Sequence, residues 1–100
     1  MPFERYTDLL HERLKDRDYA AGYLTECYED SLETFLLGLK HTVEANGGFS
    51  SVSDATTLSR EHLYTMLSEE GNPRISSLVA ILKRLGLRLR IAREKDKRAA

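Results

Sequence analysis

The sequence has a single cysteine, no tryptophan, two prolines and six glycines in 100 residues. One cysteine, Cys27, excludes an intrachain disulfide, and nothing points to an oxidising compartment. With so little proline and glycine beside 41% hydrophobic and 31% charged residues, the composition is that of an ordinary globular protein. No apolar run approaches the roughly 20 residues of a membrane span. The first residues, Met-Pro-Phe-Glu-Arg-Tyr, lack the basic-then-apolar pattern of a secretory signal. A cytoplasmic protein without membrane association is expected. Signatures of catalysis are missing too: there is no glycine-rich phosphate loop and no nucleophile elbow. His11, His41 and His62 are scattered and form no helical i, i+4 ligand pair, while Cys27 shares a helical face with Tyr23 and Tyr28 that reads as core. Neither an enzyme nor a metal or cofactor is expected.

The length bounds the chain to one domain, residues 1–100, with no room for a second core. So short a chain folds on a thin margin, which leaves room for oligomerisation. The net charge of −1 hides an asymmetry. Residues 1–50 carry five basic and ten acidic side chains, net −5; residues 51–100 carry ten basic and six acidic, net +4. A polyanion would be repelled by the first half and attracted by the second. Charge alone fits a chance distribution of solvated side chains equally well.

Hydrophobic spacing predicts an all-α chain of five to six helices. Tyr6, Leu9, Leu10 and Leu14 mark a helix over residues 4–15. Asp18 is placed to cap a second helix carrying Ala20, Tyr23, Leu24, Cys27 and Tyr28, and these two fill residues 4–30. Ser31 is a natural N-cap for a third, with Leu32, Phe35, Leu36, Leu39 and Val43 on one stripe and Glu33 in its first turn. Asn46-Gly47-Gly48 stops it. Ser50 or Ser51 is expected to cap a short helix, Leu58-Ser59 to turn the chain, and Ser59 to cap another helix through Leu67. Residues 69–73 read as a loop. Ser76 or Ser77 then opens a helix bearing Leu78, Val79, Ile81, Leu82 and Leu85, stopped by Gly86.

Leu87-Arg88-Leu89-Arg90-Ile91 alternates apolar with basic residues, the period of a strand. A lone strand leaves its backbone groups without partners, and the simplest repair is pairing with a second copy across a two-fold axis through residues 87–92. A frayed helix end or loose tail is the other reading of this segment. Residues 93–100 form a charged tail.

Two short helices joined by a tight turn and braced by a third, within residues 31–86, suggest a helix-turn-helix. In the second of them Leu63, Met66 and Leu67 can face a core, leaving Arg60, Glu61, Tyr64 and Thr65 outward. Arg60 suits guanine O6 and N7, Glu61 suits cytosine N4, and the Thr65 methyl suits thymine. Periodicity by itself fits a capped amphipathic surface helix as well.

The string from Leu58 to Pro73, with Leu58-Ser59-Arg60-Glu61, Leu63-Tyr64, Leu67-Ser68 and Gly71-Asn72-Pro73, resembles the signature of the HigA-like addiction-module antidote proteins of the Cro/repressor-type (Xre) superfamily. Leu82 to Leu89 extends the similarity, as do Tyr23-Leu24, Phe35 to Leu39 and Ala45 to Gly48, so that it covers residues 19–91. The resemblance implies a lambda-repressor-like helix-turn-helix domain that binds a palindromic double-stranded operator as a homodimer. Ser59 would cap the recognition helix and touch a phosphate, Arg60, Glu61 and Thr65 would lie nearest the bases, and Tyr64 would lie at the groove wall. Asn72, Arg74, Ser76, Ser50 and Ser51 would hold the DNA backbone, and Leu87, Leu89 and Ile91 would pair the dimer. The family neutralises a small ribonuclease toxin and represses its own operon. Such toxins are basic, so the acidic half offers a docking surface with Tyr6, Leu9 and Leu10 as anchors, unless residues 4–15 only complete the core. A solitary regulator without a toxin is the alternative. The pattern departs from the family at Ser53, where a small alanine is usual, and at Thr57, where a glycine relieves a left-handed turn that β-branched threonine dislikes. Residues 4–15 have no clear counterpart.

Overall fold

A computed structural model describes residues 2–68 and 71–94, the side chains of residues 2–5 excepted. Six helices follow one another among them: α1 (Pro2–Leu14), α2 (Arg17–Asp30), α3 (Leu32–Ala45), α4 (Gly48–Ala55), α5 (Arg60–Met66) and α6 (Ile75–Arg84). The all-helical expectation holds. None of these helices is long and apolar enough to cross a membrane. Glu69 and Glu70 of the expected loop, and residues 95–100 of the expected tail, lie outside the described residues.

Helices α2 and α3 make the tightest pair. Ser31 joins them without a loop: its N–H donates to the Cys27 carbonyl, ending α2, and its Oγ accepts from Thr34 N at 3.0 Å, starting α3. Gly38 lets the two backbones approach, since a Cβ there would stand 2.9 Å from Cys27 Sγ and 3.2 Å from Tyr23 Cε2. Leu24, Cys27, Phe35, Leu36, Leu39 and Val43 fill the seam. Tyr28 and Leu32, assigned to the apolar stripes, stand exposed at the corner where the helices meet. Helix α1 packs on both, burying Leu14. Asn46, the C-cap of α3, ties the ends together by donating to the carbonyls of Thr42 and Leu14, at 2.8 and 3.0 Å.

Helix α4 bridges α3 to α5 and α6. Phe49 and Val52 of α4, Leu63, Met66 and Leu67 around α5, and Ile81, Leu82 and Leu85 around α6 join the same core.

Helix α1 starts at Pro2 rather than at residue 4, and three N-caps differ from expectation. Asp16, extended at φ −83° and ψ 122°, caps α2 by accepting from Tyr19 N at 3.0 Å; Asp18 is already helical, where its charge suits the dipole. Helix α4 begins at Gly48 behind a left-handed Gly47 at φ 101°, so Ser50 and Ser51 sit inside it. Helix α6 begins at Ile75 behind Arg74, which makes no side-chain cap, so Ser76 and Ser77 lie in its first turn.

Gly86, at φ 79°, closes α6: its N–H donates to the Lys83 carbonyl at 3.0 Å and Leu87 N to the Leu82 carbonyl at 2.8 Å. This draws Leu87 against the core. Beyond it residues 88–91 form no strand within the single chain; a ladder needs a second strand to supply its hydrogen bonds. Leu89 is 45% and Ile91 96% exposed.

Candidate nucleic-acid interface

The turn between α4 and α5 is built by threonine. Thr56, the extended C-cap of α4, donates from Oγ1 to the Val52 carbonyl at 2.8 Å and accepts at the same oxygen from Leu58 N at 3.1 Å. No described residue other than glycine has a positive φ, so Thr57 avoids the left-handed conformation expected of it. The turn is rebuilt around the Thr56 hydroxyl. Ser59 then caps α5 as expected, its Oγ accepting from His62 N at 3.1 Å.

Helix α5 has two unlike faces. Leu63 is 0% and Met66 5% exposed, and the C-cap Leu67 is buried beside them. Arg60, Glu61, His62, Tyr64 and Thr65 are exposed. By backbone proximity α5 neighbours only α4 among the described helices, so its outer face is left uncovered by them. The Thr65 hydroxyl donates back to the Glu61 carbonyl at 3.1 Å, which leaves its methyl as the group free for contact. The Tyr64 ring lies on Phe49 of α4.

The other expected DNA contacts fall into two groups. Ser50 and Ser51 lie early in α4; Ser50 is exposed, and Ser51 is half-buried with its hydroxyl accepting a hydrogen bond from the Arg84 guanidinium of α6. Asn72, Arg74 and Ser76 are all exposed at the entry to α6. An open cleft lined by Thr56, Thr57, Ser76, Ser77, Lys83 and Arg84 lies between this entry and the turn. Among the described residues Arg60, Arg74, Lys83 and Arg84 form no ion pair, and Lys83 and Arg84 line that hydroxyl-rich cleft. Lys83 and Arg84, in the last turn of α6, lie outside the contact set expected from the sequence.

Residues 6–93 match the family described as probable addiction module antidote protein. The chain belongs to that antidote family. Neither curated proteins nor solved structures give a match to it. The match begins at Tyr6 and so takes in most of α1.

Two clusters in this antidote protein lie apart from α5. Burial pushes the Cys27 thiol up, and burial together with the neighbouring Cys27 raises the Tyr23 phenol to about 12. His11 of α1 and His41 of α3, scattered in sequence, meet with ring centroids 5.7 Å apart beside Glu44.

Proposed function

We propose that this protein is the antitoxin of a type II toxin–antitoxin module that represses its own operon, binding a palindromic operator as a homodimer through a HigA-like, Cro/repressor-type helix-turn-helix made of α4 and α5. The observation that carries the reading is the division of α5, with Leu63 and Met66 buried and Arg60, Glu61, Tyr64 and Thr65 exposed. A recognition helix needs that division: a rigid buried back and a polar front narrow enough for a major groove about 12 Å wide. Arg60 then reads guanine, Glu61 accepts from cytosine, and the Thr65 methyl meets thymine. Ser59, Ser50, Asn72, Arg74 and Ser76 set the register against phosphates, and Lys83 and Arg84 add charge to that contact. Two such helices, brought together by pairing of Leu87 to Ile91, address half-sites about one DNA turn apart. The acidic first half, net −5, suits a basic ribonuclease toxin.

The test is a gel shift of the purified protein on the promoter fragment of its own operon, beside a shuffled fragment of equal length, over a series of salt concentrations. Preferential retardation of the promoter, with affinity falling linearly in the logarithm of salt, is expected. Equal binding to both fragments refutes sequence-specific repression. A gene neighbourhood without a small toxin frame would leave the repressor and remove the toxin.

A further inference from the structure

We infer that His11, His41 and Glu44 form a binding site for one zinc ion, which clasps α1 to α3. His41 and Glu44 stand one turn apart on α3, and His11 faces them from α1. His11 Nε2 lies 3.8 Å and His41 Nδ1 3.6 Å from the same Glu44 oxygen, Oε1, and the three donor atoms all lie within 4.8 Å of one another. Those nitrogen–oxygen separations are too long for hydrogen bonds. They come close to the spacing of two ligands on a single tetrahedral zinc: bonds of about 2.0–2.2 Å place neighbouring donors about 3.4 Å apart.

His11 Nε2 and His41 Nδ1 share a second property. Each is shut off from solvent and has no hydrogen-bond partner among the described residues. Buried imidazole nitrogens are ordinarily satisfied, and here two from different helices turn toward one carboxylate oxygen. A metal ion gives both a partner at once, and the carboxylate offsets part of its charge. Two imidazoles and a carboxylate are a donor set that zinc accepts, with a water or another oxygen in the fourth position.

The placement gives the ion a structural task. Near its C-terminus α1 is tied down by the buried Leu14 and by Asn46, which donates to the Leu14 carbonyl. Tyr6 and Leu9, further back along α1, are exposed. Zinc on His11 fixes α1 about one turn before Leu14, where apolar packing thins.

The experiment is a zinc titration of the intact, untagged chain after chelator treatment, in competition with a chromophoric chelator, with nitrogen-15 spectra of the imidazoles recorded alongside. One zinc per chain is expected. Losing a partner that merely orients a ligand costs roughly 10–100-fold in affinity elsewhere, so His11→Ala and His41→Ala should each weaken binding by at least about tenfold, while His62→Ala, at an exposed histidine on α5, leaves it unchanged. The wild-type spectra keep the test decisive if a variant fails to fold: zinc should shift the imidazole nitrogens of His11 and His41 and spare those of His62. Absence of saturable binding, binding undiminished in folded His11→Ala and His41→Ala variants, or shifts centred on His62 would overturn the site.

Discussion

The ring of Tyr64 rests on that of Phe49, with centroids 4.2 Å apart and planes inclined by 30°. Phe49 is 4% exposed and Tyr64 49%, so one ring belongs to the core and the other covers it from the surface. The pair links α4 to the outer face of α5. Phe49→Ala removes a core aromatic and should destabilise the fold by about 3–5 kcal/mol. Tyr64→Ala loses mainly the ring–ring contact and should cost about 0.5–1.5 kcal/mol. Chemical denaturation of both variants checks the order; equal losses would mean that Phe49 is not the buried support of the pair.

Arg60 is exposed, forms no ion pair among the described residues, and follows directly on the Ser59 cap. Arg60→Ala should leave thermal stability within about 0.5 kcal/mol of the parent. If Arg60 reads a guanine, specific DNA binding should weaken by about 1–3 kcal/mol with relaxed preference at one base position. Anisotropy titrations against operator variants measure both. Unchanged affinity and specificity would remove Arg60 from the readout.

At Gly38 two effects oppose each other. Alanine is the better helix former by about 1 kcal/mol, but its Cβ would press on Cys27 Sγ at 2.9 Å and on Tyr23 and Leu24. Overpacking of this kind costs about 1–3 kcal/mol, so Gly38→Ala should lower the unfolding midpoint. Adding Cys27→Ala removes the sulfur and should recover part of the Gly38→Ala loss, which a double-mutant cycle resolves. Additive losses would show that the seam yields elsewhere.

What the sequence made legible was local. The Ser31 and Ser59 caps, and the stripe of Phe35, Leu36, Leu39 and Val43, follow from a hydroxyl near free N–H groups and from a repeat of 3.6 residues. The misplaced starts were not legible because capping chemistry offers more than one site within a few residues. Asp16 caps α2 ahead of Asp18, Gly47 precedes α4 ahead of Ser50, and Arg74 precedes α6 ahead of Ser76. The outward set Arg60, Glu61, Tyr64 and Thr65 was readable because α5 alternates its faces within seven residues. The support of Tyr64 by Phe49, and the meeting of His11 with His41, were not, since each joins separate helices and leaves no trace in periodicity.

Tyr23 gives a signature in pH. Burial, with Cys27 next in effect, raises its phenol from 10.0 to about 12. The fold therefore favours the neutral phenol. That contribution is whole below about 10, the value in the unfolded chain, and is lost as pH rises through about 12. In an ultraviolet titration one of the five tyrosines should ionise after the rest, and Tyr23→Phe should delete that late component. Its survival in Tyr23→Phe would assign the shift to another ring.

The segment after Gly86 decides the assembly. Leu87 is drawn to its own core by the turn that closes α6, while Leu89 and Ile91 are left to solvent on a stretch without ladder partners. If two copies pair there, the ladder supplies the missing hydrogen bonds and covers Leu89, and a carboxylate in its place meets its own charge across the two-fold axis. Leu89→Asp should then give monomers in light scattering and bind a palindromic operator far more weakly, because one recognition helix must act alone. Within one chain the substitution touches no fully buried site, so the helical signal in circular dichroism should be kept. A dimer that persists in the folded Leu89→Asp protein would place the association on another face and leave Leu87, Leu89 and Ile91 without that role.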